Sequence, residues 1–233
     1  MKKKLVISTG AGISAESGIK TFRDSDGLWE NYDVMEVASA EGFRRNPELI
    51  HRFYNARRRE LLNALPNAAH KGLVELEKDY DVYIITQNVD DLHERAGSSN
   101  ILHLHGELMK IRSVSDPDYI IPVGEEYMET SPETRGPRGD LMRPHIVFFQ
   151  EAVPNIEPAM QLASEADIFV VIGTSLQVYP AAGLIQCVRP GTPIYYIDPR
   201  PASGVYSIPG IHVIAEPATK GVATLAALLE KEK

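Results

Sequence analysis

Four short segments of the chain are almost unbroken runs of apolar and β-branched residues. They are KLVIS (4–8), DVYIIT (81–86), IFVVIG (168–173) and PIYYID (193–198). Runs with so few polar interruptions are typical of parallel strands that are covered on both faces. A shorter run, NILHLH (100–105), is compatible with one further strand.

Segments with helical spacing alternate with these runs. PNAAHKGLVELEKD and EPAMQLASEA each lie between two of the predicted strands. Strands that alternate with helices form βαβ units and a parallel sheet. The pattern therefore predicts an α/β fold, with a Rossmann-like parallel sheet and helices on both of its faces.

Two segments interrupt this alternation, about 22–66 and 107–145, and predict a smaller inserted lobe. The first contains a helix that begins at NPEL, with Asn46 as cap, Pro47 at the first helical position and Glu48 near the positive end. The second is rich in proline, glycine and acidic residues. A cleft between two lobes is a favoured place for a ligand. The large lobe is then made of three stretches, about 1–21, 67–106 and 146–233.

Composition and charge limit the classes of partner. The 233 residues are 43% hydrophobic and 24% charged, as in soluble globular proteins. The chain has 24 basic and 32 acidic residues and therefore a net charge of -8. A general affinity for nucleic acid or for an anionic membrane is not expected of such a chain. The apolar runs are far shorter than the ~20 residues of a membrane helix, and the run after MKKK is too short for a secretory signal. We expect a cytoplasmic monomer with neither a nucleic-acid nor a membrane partner.

The chain has a single cysteine, Cys187. One cysteine excludes a disulfide within the chain and a cysteine-based zinc site. Cys187 lies in the apolar, helix-like stretch AAGLIQCV, which favours a buried structural thiol over a nucleophile.

A glycine-rich stretch, STGAGISAESGIKTFR (8–23), follows the first predicted strand. Within it, GAGISA fits the dinucleotide fingerprint G-x-G-x-x-[GA], with Gly10, Gly12 and Ala15 at the three places. Such glycines let the backbone approach a pyrophosphate, and the start of a following helix adds its positive dipole. The fingerprint alone is equally typical of an ordinary turn between a strand and a helix. In a dehydrogenase, a strand ending in an acidic residue follows about 20 residues later. Here the polar, irregular IKTFRDSDGLWENYDVMEVAS follows, which argues against hydride transfer.

Five motifs, in order, resemble those of the sirtuins, which are NAD-consuming protein-lysine deacylases. They are GAGISAESGIKTFR (10–23), TQNVDDLH (86–93), LHG (104–106), RPHIVFFQE (143–151) and GTSLQVYPAA (173–182). The match spans nearly the whole length, so residues 1–233 are identified as one sirtuin-type catalytic domain with a deoxyhypusine synthase-like NAD-binding fold. The resemblance implies NAD as co-substrate, acylated-lysine proteins as substrates, and nicotinamide and O-acyl-ADP-ribose as products.

The resemblance also implies a set of NAD-binding residues. The glycine loop contributes Gly10, Ala11, Gly12, Ile13 and Glu16, and the segment that closes over the nicotinamide ribose contributes Phe22, Arg23 and Trp29. The remaining positions are Gln87, Asn88, Val89, Asp90, Gly173, Thr174, Ser175, Asp198, Pro199, Arg200 and Ala218. Asp198 stands where the family usually has asparagine, so this position keeps a hydrogen-bond acceptor and loses a donor. Arg23 could instead be an ordinary surface cation.

The residues that follow the second predicted strand also indicate a ligand site, independently of the resemblance. TQNVDD follows a predicted strand, and open sheets bind ligands at the carboxyl ends of their strands. The amide of Asn88 and the carboxylate of Asp90 suit a carboxamide and a ribose. Either side chain could equally cap the following helix.

His105 is the candidate catalytic base, and Asn88 is the second catalytic candidate. An imidazole titrates near neutral pH and can accept a hydroxyl proton. In the sirtuin reaction that the resemblance implies, the acyl oxygen displaces nicotinamide and the histidine activates a ribose hydroxyl. The residues alone do not separate His105 from His103 in LHLH, and it is Gly106 together with the family motif that selects His105.

The helix NPELIHRFYNARRRELLNAL carries a charge within its apolar face. Arg57 falls in the middle of the stripe formed by Ile50, Phe53, Leu61 and Leu65. A charge on an apolar face needs a partner, and Tyr54, three residues earlier, can converge with Arg57 on one carboxylate. Alternatively, Arg57 belongs to a solvated basic face with Arg58 and Arg59.

By resemblance, Tyr-x-x-Arg marks the sirtuins that remove succinyl, malonyl and glutaryl groups. An acetyl group fits the same channel, so weaker deacetylation is expected as well. The resemblance implies that Val147, Phe148 and Phe149 line this channel. Gln150 stands where the family has glycine and is expected to narrow it.

Most sirtuins hold their small lobe with a zinc ion bound by two pairs of cysteines. Those pairs would fall near Ser113 and near Arg135 and Arg138, and none of these residues is cysteine, so no zinc is expected. We expect a small apolar core to hold the lobe in its place. Its residues are Tyr119, Ile120, Ile121 and Val123.

Two other functions stay open. ADP-ribosyl transfer to protein would use the same cleavage of NAD but does not need Tyr54 and Arg57. A non-catalytic module that binds NAD or acyl peptide would have little use for His105, Asn88 and Asp90. These residues favour a deacylase.

Overall fold

The structure of the protein is a computed structural model that describes residues 2–20, 28–29 (backbone alone) and 32–231. The strands, in chain order, are β1 (Lys4–Thr9), β2 (Leu28–Trp29), β3 (Tyr32–Asp33), β4 (Asp81–Thr86), β5 (Ile101–His103), β6 (Gly106–Ser113), β7 (Ile120–Pro122), β8 (Met142–Ile146), β9 (Ile168–Ile172), β10 (Ile194–Ile197) and β11 (Ile211–Ile214). The α-helices are α1 (Val34–Val37), α2 (Ala40–Arg45), α3 (Pro47–Asn63), α4 (Ala68–Leu76), α5 (Leu92–Ala96), α6 (Ile156–Glu165) and α7 (Ala218–Lys231).

The described residues form a six-stranded parallel sheet in the order β11-β10-β9-β1-β4-β5. Inside it, β1 pairs with both β4 and β9, so that Leu5 is flanked by Val82 and Ile168. Because side chains alternate along a strand, Leu5 packs with apolar residues of α4 and α7, whereas Val6 packs on the other face with those of α6. Helices cover both faces, which confirms the predicted Rossmann-like α/β fold.

The segments predicted as insertions contain α1–α3, the short pair β2–β3 and most of a three-stranded antiparallel sheet ordered β7-β6-β8. Helix α3 packs Ile50 and Phe53 against Leu108 of β6 and Ile146 of β8. This cluster joins the helix to the small sheet. The division of the chain into two lobes stays a prediction.

Helix α3 begins as predicted and ends earlier than its apolar stripe suggests. The Asn46 side chain accepts a hydrogen bond from the Leu49 amide at 3.1 Å, and Pro47 is the first helical residue. The helix ends at Asn63, and Leu65 beyond it is 70% exposed. Leu65 precedes Pro66, and the residue before a proline disfavours helical geometry. Including Leu65 in the buried stripe was therefore wrong.

Arg58 is buried, so the prediction that it could belong to a solvated basic face is wrong. Its guanidinium donates to the Leu108 carbonyl at 3.1 Å and to Asn55 Oδ1 at 2.8 Å. Asn55 Nδ2 in turn donates to the Thr130 carbonyl at 2.8 Å. Burial lowers the pKa of Arg58 to about 10, which leaves it protonated at neutral pH. The arginine thus ties α3 to β6 and to the loop at residue 130.

The positions where zinc cysteines would fall form an ion-pair cluster. Ser113 Oγ donates to Asp140 at 3.3 Å, and Arg138 binds Asp116 at 2.9 Å and Asp140 at 3.3 Å. The Arg138 guanidinium also stacks 3.8 Å from the centroid of the Tyr119 ring. A guanidinium between two carboxylates does not fit a structural zinc site, which uses thiolates and imidazoles.

A small apolar cluster lies beside these ion pairs, as predicted. Tyr119, Ile121 and Val123 pack against a buried group made of Ile111, Tyr127 and Met142, which confirms three of the four predicted residues. Ile120 is exposed, because neighbouring side chains on a strand point to opposite faces.

Two further features of the fold concern the surface. No helix in the part of the chain that the structure describes combines the length and apolar character needed to cross a bilayer. Cys187 ends a 3₁₀ helix (Ala181–Cys187) and is only half-buried, so the prediction of a buried thiol was too strong.

Four histidines predict loss of stability in acid. Burial lowers the pKa of His51, His70 and His145 to about 4 and that of His93 to about 3. These groups stay neutral in the folded state, whereas in the unfolded state they take up protons below pH ~6.5. The free energy of unfolding should therefore fall from pH ~6.5 towards pH 4, by up to ~1.4 kcal/mol per pH unit for each histidine.

Urea unfolding at a series of pH values measures this dependence. His51→Asn keeps a nitrogen for Thr130, which lies 2.8 Å from His51 Nδ1, and should remove about one proton from the uptake. Arg52→Gln, at the exposed position next to His51 on the same helix, is the control and should leave the pH dependence unchanged. A free energy that stays level between pH 6.5 and 4 would contradict the prediction.

Candidate active site

A cavity of about 400 Å³ opens at the carboxyl ends of β1, β4, β9 and β10. Each of these strands is followed at once by a lining residue: Gly10, Gln87, Gly173 and Asp198. The structure brings most of the predicted site residues to its wall. They are Gly10, Ala11, Gly12, Glu16, Tyr54, Gln87, Asn88, Val89, Asp90, His105, Val147, Phe148, Phe149, Gly173, Thr174, Ser175, Asp198, Pro199, Arg200 and Ala218.

The cavity floor is a backbone-to-backbone contact between two loops. The Gly12 amide donates to the Gly173 carbonyl at 2.8 Å, and a Cβ on Gly12 would lie 2.5 Å from Gly173 Cα. Gly173 itself has φ +63°, which favours glycine. Gly12 is therefore needed for the approach of a neighbouring loop, a role that the fingerprint did not reveal.

The expected helix after the glycine loop is also replaced. Two 3₁₀ turns, Ala11–Ile13 and Ala15–Ser17, follow Gly10. Such short turns have little macrodipole, so the argument from a helix dipole fails here. Any anion at this loop would be held by individual backbone amides.

Ser14 is a buried residue that sequence reasoning missed. Asn88 Nδ2 donates to Ser14 Oγ at 3.2 Å, and Ser14 Oγ donates to Asp90 Oδ2 at 3.0 Å. Asp90 Oδ1 also accepts from the Leu92 amide at 3.1 Å, but the N-cap residue of α5 is Asp91, so neither Asn88 nor Asp90 is the cap that the alternative predicted. The three side chains form one hydrogen-bonded series, with Asn88 and Asp90 at the cavity wall and Ser14 buried behind them. A hydroxyl inside the glycine motif was the available signal.

The environment of Asp90 weakens its acidity. Burial raises the pKa of Asp90 to about 6, against the opposing effect of the hydrogen bonds from Leu92 and Ser14. The carboxylate is thus ionised at neutral pH with little margin, and it is an acceptor that a hydrogen-bonding ligand would stabilise.

His105 is held in one tautomer. Its Nδ1 lies 3.1 Å from the Gln87 carbonyl oxygen, which only accepts hydrogen bonds, so Nδ1 carries the proton and Nε2 carries the lone pair. Burial lowers the pKa of His105, with the contact to Gln87 opposing it. The imidazole is therefore neutral at pH 7 and basic at Nε2, which suits a general base.

The opposite end of the cavity has fixed acceptors. Asp198 is buried at the end of β10 and accepts from the Arg200 amide at 2.8 Å. Glu16 reaches across to the start of α7, where its carboxylate accepts from the Thr219 amide at 2.9 Å and from the Thr219 hydroxyl at 2.8 Å. Glu16 thereby ties the glycine loop to the helix that begins with Ala218.

An aromatic wall lies where the acyl channel is predicted. Tyr54 is fully buried and packs against Phe148, with ring centroids 6.0 Å apart. Glu151 holds the turn after β8, since it accepts from the Phe148 amide at 2.9 Å and from Arg143 at 2.7 Å. Gln150 has φ +74°, a conformation that favours glycine, and its side chain accepts from the Glu41 amide at 3.2 Å.

Two predicted residues do not reach the cavity wall. Ile13 is completely buried in the core beneath the glycine loop, so its side chain packs in the core and only its backbone is left for the predicted contact with NAD, which stays a prediction. Arg57 lies over the Phe53 ring and binds Glu60 through two contacts, at 3.0 and 2.8 Å. Phe22 and Arg23 lie outside the described residues, and of Trp29 only the backbone, in β2, is described.

The fold and the site define a dinucleotide-binding α/β protein with a neutral histidine, His105, at the cavity wall. The model of the Sir2 family matches residues 10–180. The chain therefore belongs to the Sir2 family, the sirtuins, which confirms the predicted resemblance.

Close relatives match nearly the whole chain. A protein of Bacteroides thetaiotaomicron named NAD-dependent protein deacylase is 53% identical over 230 residues, which cover 97% of this chain and 98% of that protein. One of the same name from Aggregatibacter actinomycetemcomitans is 56% identical over 211 residues, covering 90% of this chain and 100% of that protein.

Solved structures agree with the fold. A Sir2 homologue in complex with NAD superposes with a TM-score of 0.85 at 38% identity, covering 99% of this chain and 91% of that one. A Sir2 protein bound to an acetylated peptide gives a TM-score of 0.82 at 28% identity, covering 98% and 94%.

The contact between Gly12 and Gly173 predicts that one methyl group added at Gly12 lowers both the stability of the protein and its affinity for NAD. Gly12→Ala forces the two loops apart and should cost ~1–3 kcal/mol of unfolding free energy and weaken NAD binding about tenfold or more. Urea unfolding and titration calorimetry with NAD measure the two effects. Gly124→Ala, where an added Cβ meets nothing within 4 Å, is the matched control. Unchanged NAD affinity in Gly12→Ala would show that the loop contact does not shape the site.

Proposed function

We propose that this chain, an NAD-dependent protein deacylase of the Sir2 family, removes succinyl and malonyl groups from lysine side chains and acetyl groups more weakly. The observation that carries the catalytic part is His105, a neutral imidazole with a basic Nε2 on the wall of the cavity. We also propose that it acts as a zinc-free monomer in the cytoplasm.

Each group at the wall takes one role in this reaction. NAD, when bound, supplies nicotinamide as leaving group and ADP-ribose as acyl acceptor. His105 takes the proton of a ribose hydroxyl at Nε2, while its Nδ1 keeps its proton and donates it in a hydrogen bond to the Gln87 carbonyl. The hydrogen-bonded side chains of Asn88, Ser14 and Asp90 orient the carboxamide of nicotinamide. The buried wall around Phe148 keeps water from the reacting atoms.

The acyl preference follows from Tyr54 and Arg57. Burial raises the pKa of the Tyr54 phenol, so it stays protonated and can donate to a carboxylate. The Arg57 fork already binds a carboxylate, that of Glu60. The Arg57 side chain is 14% exposed and that of Glu60 is 59% exposed, so Glu60 can move into solvent. Because Tyr54 lines the cavity and Arg57 lies outside its wall, we propose that the Arg57 fork turns towards Tyr54, and that the carboxylate of a succinyl or malonyl group then takes the place of Glu60.

The role of His105 is tested by a variant that keeps its structural contact. In His105→Asn, the amide nitrogen can still donate to the Gln87 carbonyl, but no base remains. Loss of acyl groups from succinyl-lysine and acetyl-lysine peptides, followed by mass spectrometry, should fall at least ~100-fold. NAD binding should stay within about threefold.

His212→Asn is the control for this assay and should retain full activity. Retained activity in His105→Asn would place the base elsewhere. Release of nicotinamide with ADP-ribose on a protein, and with no acyl loss in the wild type, would replace deacylation by ADP-ribosyl transfer.

The acyl pocket is tested from both sides of the Arg57–Glu60 pair. Arg57→Ala should lower kcat/KM for the succinyl peptide by ~10–100-fold, since it removes a charged two-point hydrogen bond. The acetyl peptide should be nearly unaffected. Glu60→Gln removes the competing carboxylate and should raise kcat/KM for the succinyl peptide a few-fold.

Arg59→Ala is the matched control, because Arg59 is an exposed neighbour of equal charge that pairs with Glu129. Equal losses for Arg57→Ala on both peptides would contradict the carboxylate pocket while leaving the deacylase intact.

A further inference from the structure

Two histidines of the sequence LHLH, His103 and His105, form hydrogen bonds with the carbonyl groups of two consecutive residues in the loop after β4. His105 Nδ1 lies 3.1 Å from the Gln87 carbonyl oxygen, and His103 Nδ1 lies 3.2 Å from that of Asn88. Because a carbonyl oxygen only accepts hydrogen bonds, both Nδ1 atoms carry a proton. The sequence LHLH thus anchors the loop at two adjacent points.

The two rings differ at the second nitrogen. His103 Nε2 lies 2.6 Å from Glu94 Oε1 of α5, and a carboxylate also only accepts. His103 therefore carries protons on both nitrogens and is an imidazolium, with 10% of its side chain exposed. His105, two residues on, is neutral. The two rings therefore differ in charge because His103 has the Glu94 carboxylate as a partner.

The surroundings of His103 support this charge state. Burial lowers the pKa of His103, but the hydrogen bond and charge of Glu94, with the charge of Glu107, outweigh burial and hold the pKa above its usual value. Glu107 is itself paired with Lys110 at 2.7 Å. The neighbouring His93 and His145 are neutral. Glu94 is thus the partner that fixes the charge.

We propose that His103 and Glu94 are positioning residues for the NAD site: the charged imidazole, held by Glu94, fixes the Asn88 carbonyl and with it the loop 87–90 that lines the cavity. This inference rests on the proposed roles of Asn88 and Asp90. The side-chain hydrogen bonds of the pair go to the Asn88 carbonyl and between His103 and Glu94, whereas the loop meets the aromatic wall at Val89. We therefore expect loss of the pair to act mainly on NAD and little on the acyl peptide.

Two amide variants separate the two contacts of His103. In His103→Asn the amide occupies the place of Nδ1 and can still donate to Asn88, whereas in His103→Gln it occupies the place of Nε2 and meets Glu94 alone. KM for NAD should rise by ~3-fold or less in His103→Asn and by ~10-fold in His103→Gln. KM for the acyl peptide should change less than ~2-fold in both.

Glu94→Gln removes the charge and keeps the shape, and should raise KM for NAD by ~3-fold. Glu75→Gln, an exposed glutamate of α4 paired with Lys78, is the matched control and should change nothing. Equal effects of His103→Asn and His103→Gln, the reverse order, or a change confined to the peptide KM would each overturn the proposal.

A measurement on the unaltered protein covers the case in which a variant fails to fold. Nitrogen NMR of ¹⁵N-histidine-labelled protein should show His103 mainly as an imidazolium at pH 6.5 in the wild type and mainly as a neutral ring in Glu94→Gln. A neutral His103 in the wild type at pH 6.5 would overturn the proposal. If the wild type removes no acyl group, the proposed function fails, while calorimetry with NAD on the same variants still tests the order of the two amides.

Discussion

The contact between Gly12 and Gly173 is the constraint on which the site depends. Two loops from the neighbouring strands β1 and β9 meet backbone to backbone, and the amide of one donates to the carbonyl of the other. Both glycines line the cavity at the carboxyl edge of the sheet. Ser14 follows directly in the chain, so its hydroxyl is placed where Asn88 and Asp90 can meet it.

Burial shifts the pKa values of several ionisable groups of this chain in the direction that favours the neutral form. Hydrogen bonds then determine which atoms of these groups carry a proton. Burial raises the pKa of Asp90 and lowers the pKa of His105, so it favours the neutral form of both groups, although Asp90 remains ionised at neutral pH. Each keeps a defined proton position because a backbone or hydroxyl group fixes one side. His103 is the exception, since the Glu94 carboxylate compensates for its burial. His103 and His105 thus differ in charge although both are histidines.

The parts of the fold that depend on local chemistry could be predicted from the sequence, such as the strands and the Asn46 cap. The motif residues could also be placed at one edge, because carboxyl ends of parallel strands meet there. Contacts between distant segments could not. Arg58 looks like Arg57 and Arg59 in the sequence, and only packing against Leu108 and Thr130 separates them. The burial of Ile13 and the Glu60 partner of Arg57 were missed for the same reason.

The pair formed by Arg57 and Glu60 has a consequence for the charge of the proposed acyl pocket. A guanidinium with its own carboxylate carries no net charge, so the resting protein does not bear the solvation cost of a bare cation near an apolar wall. In the proposed exchange, an acidic acyl group takes the place of Glu60, so one anion replaces another at the same fork. Charge balance at Arg57 is then the same before and after binding, and discrimination depends on how easily the two carboxylates exchange.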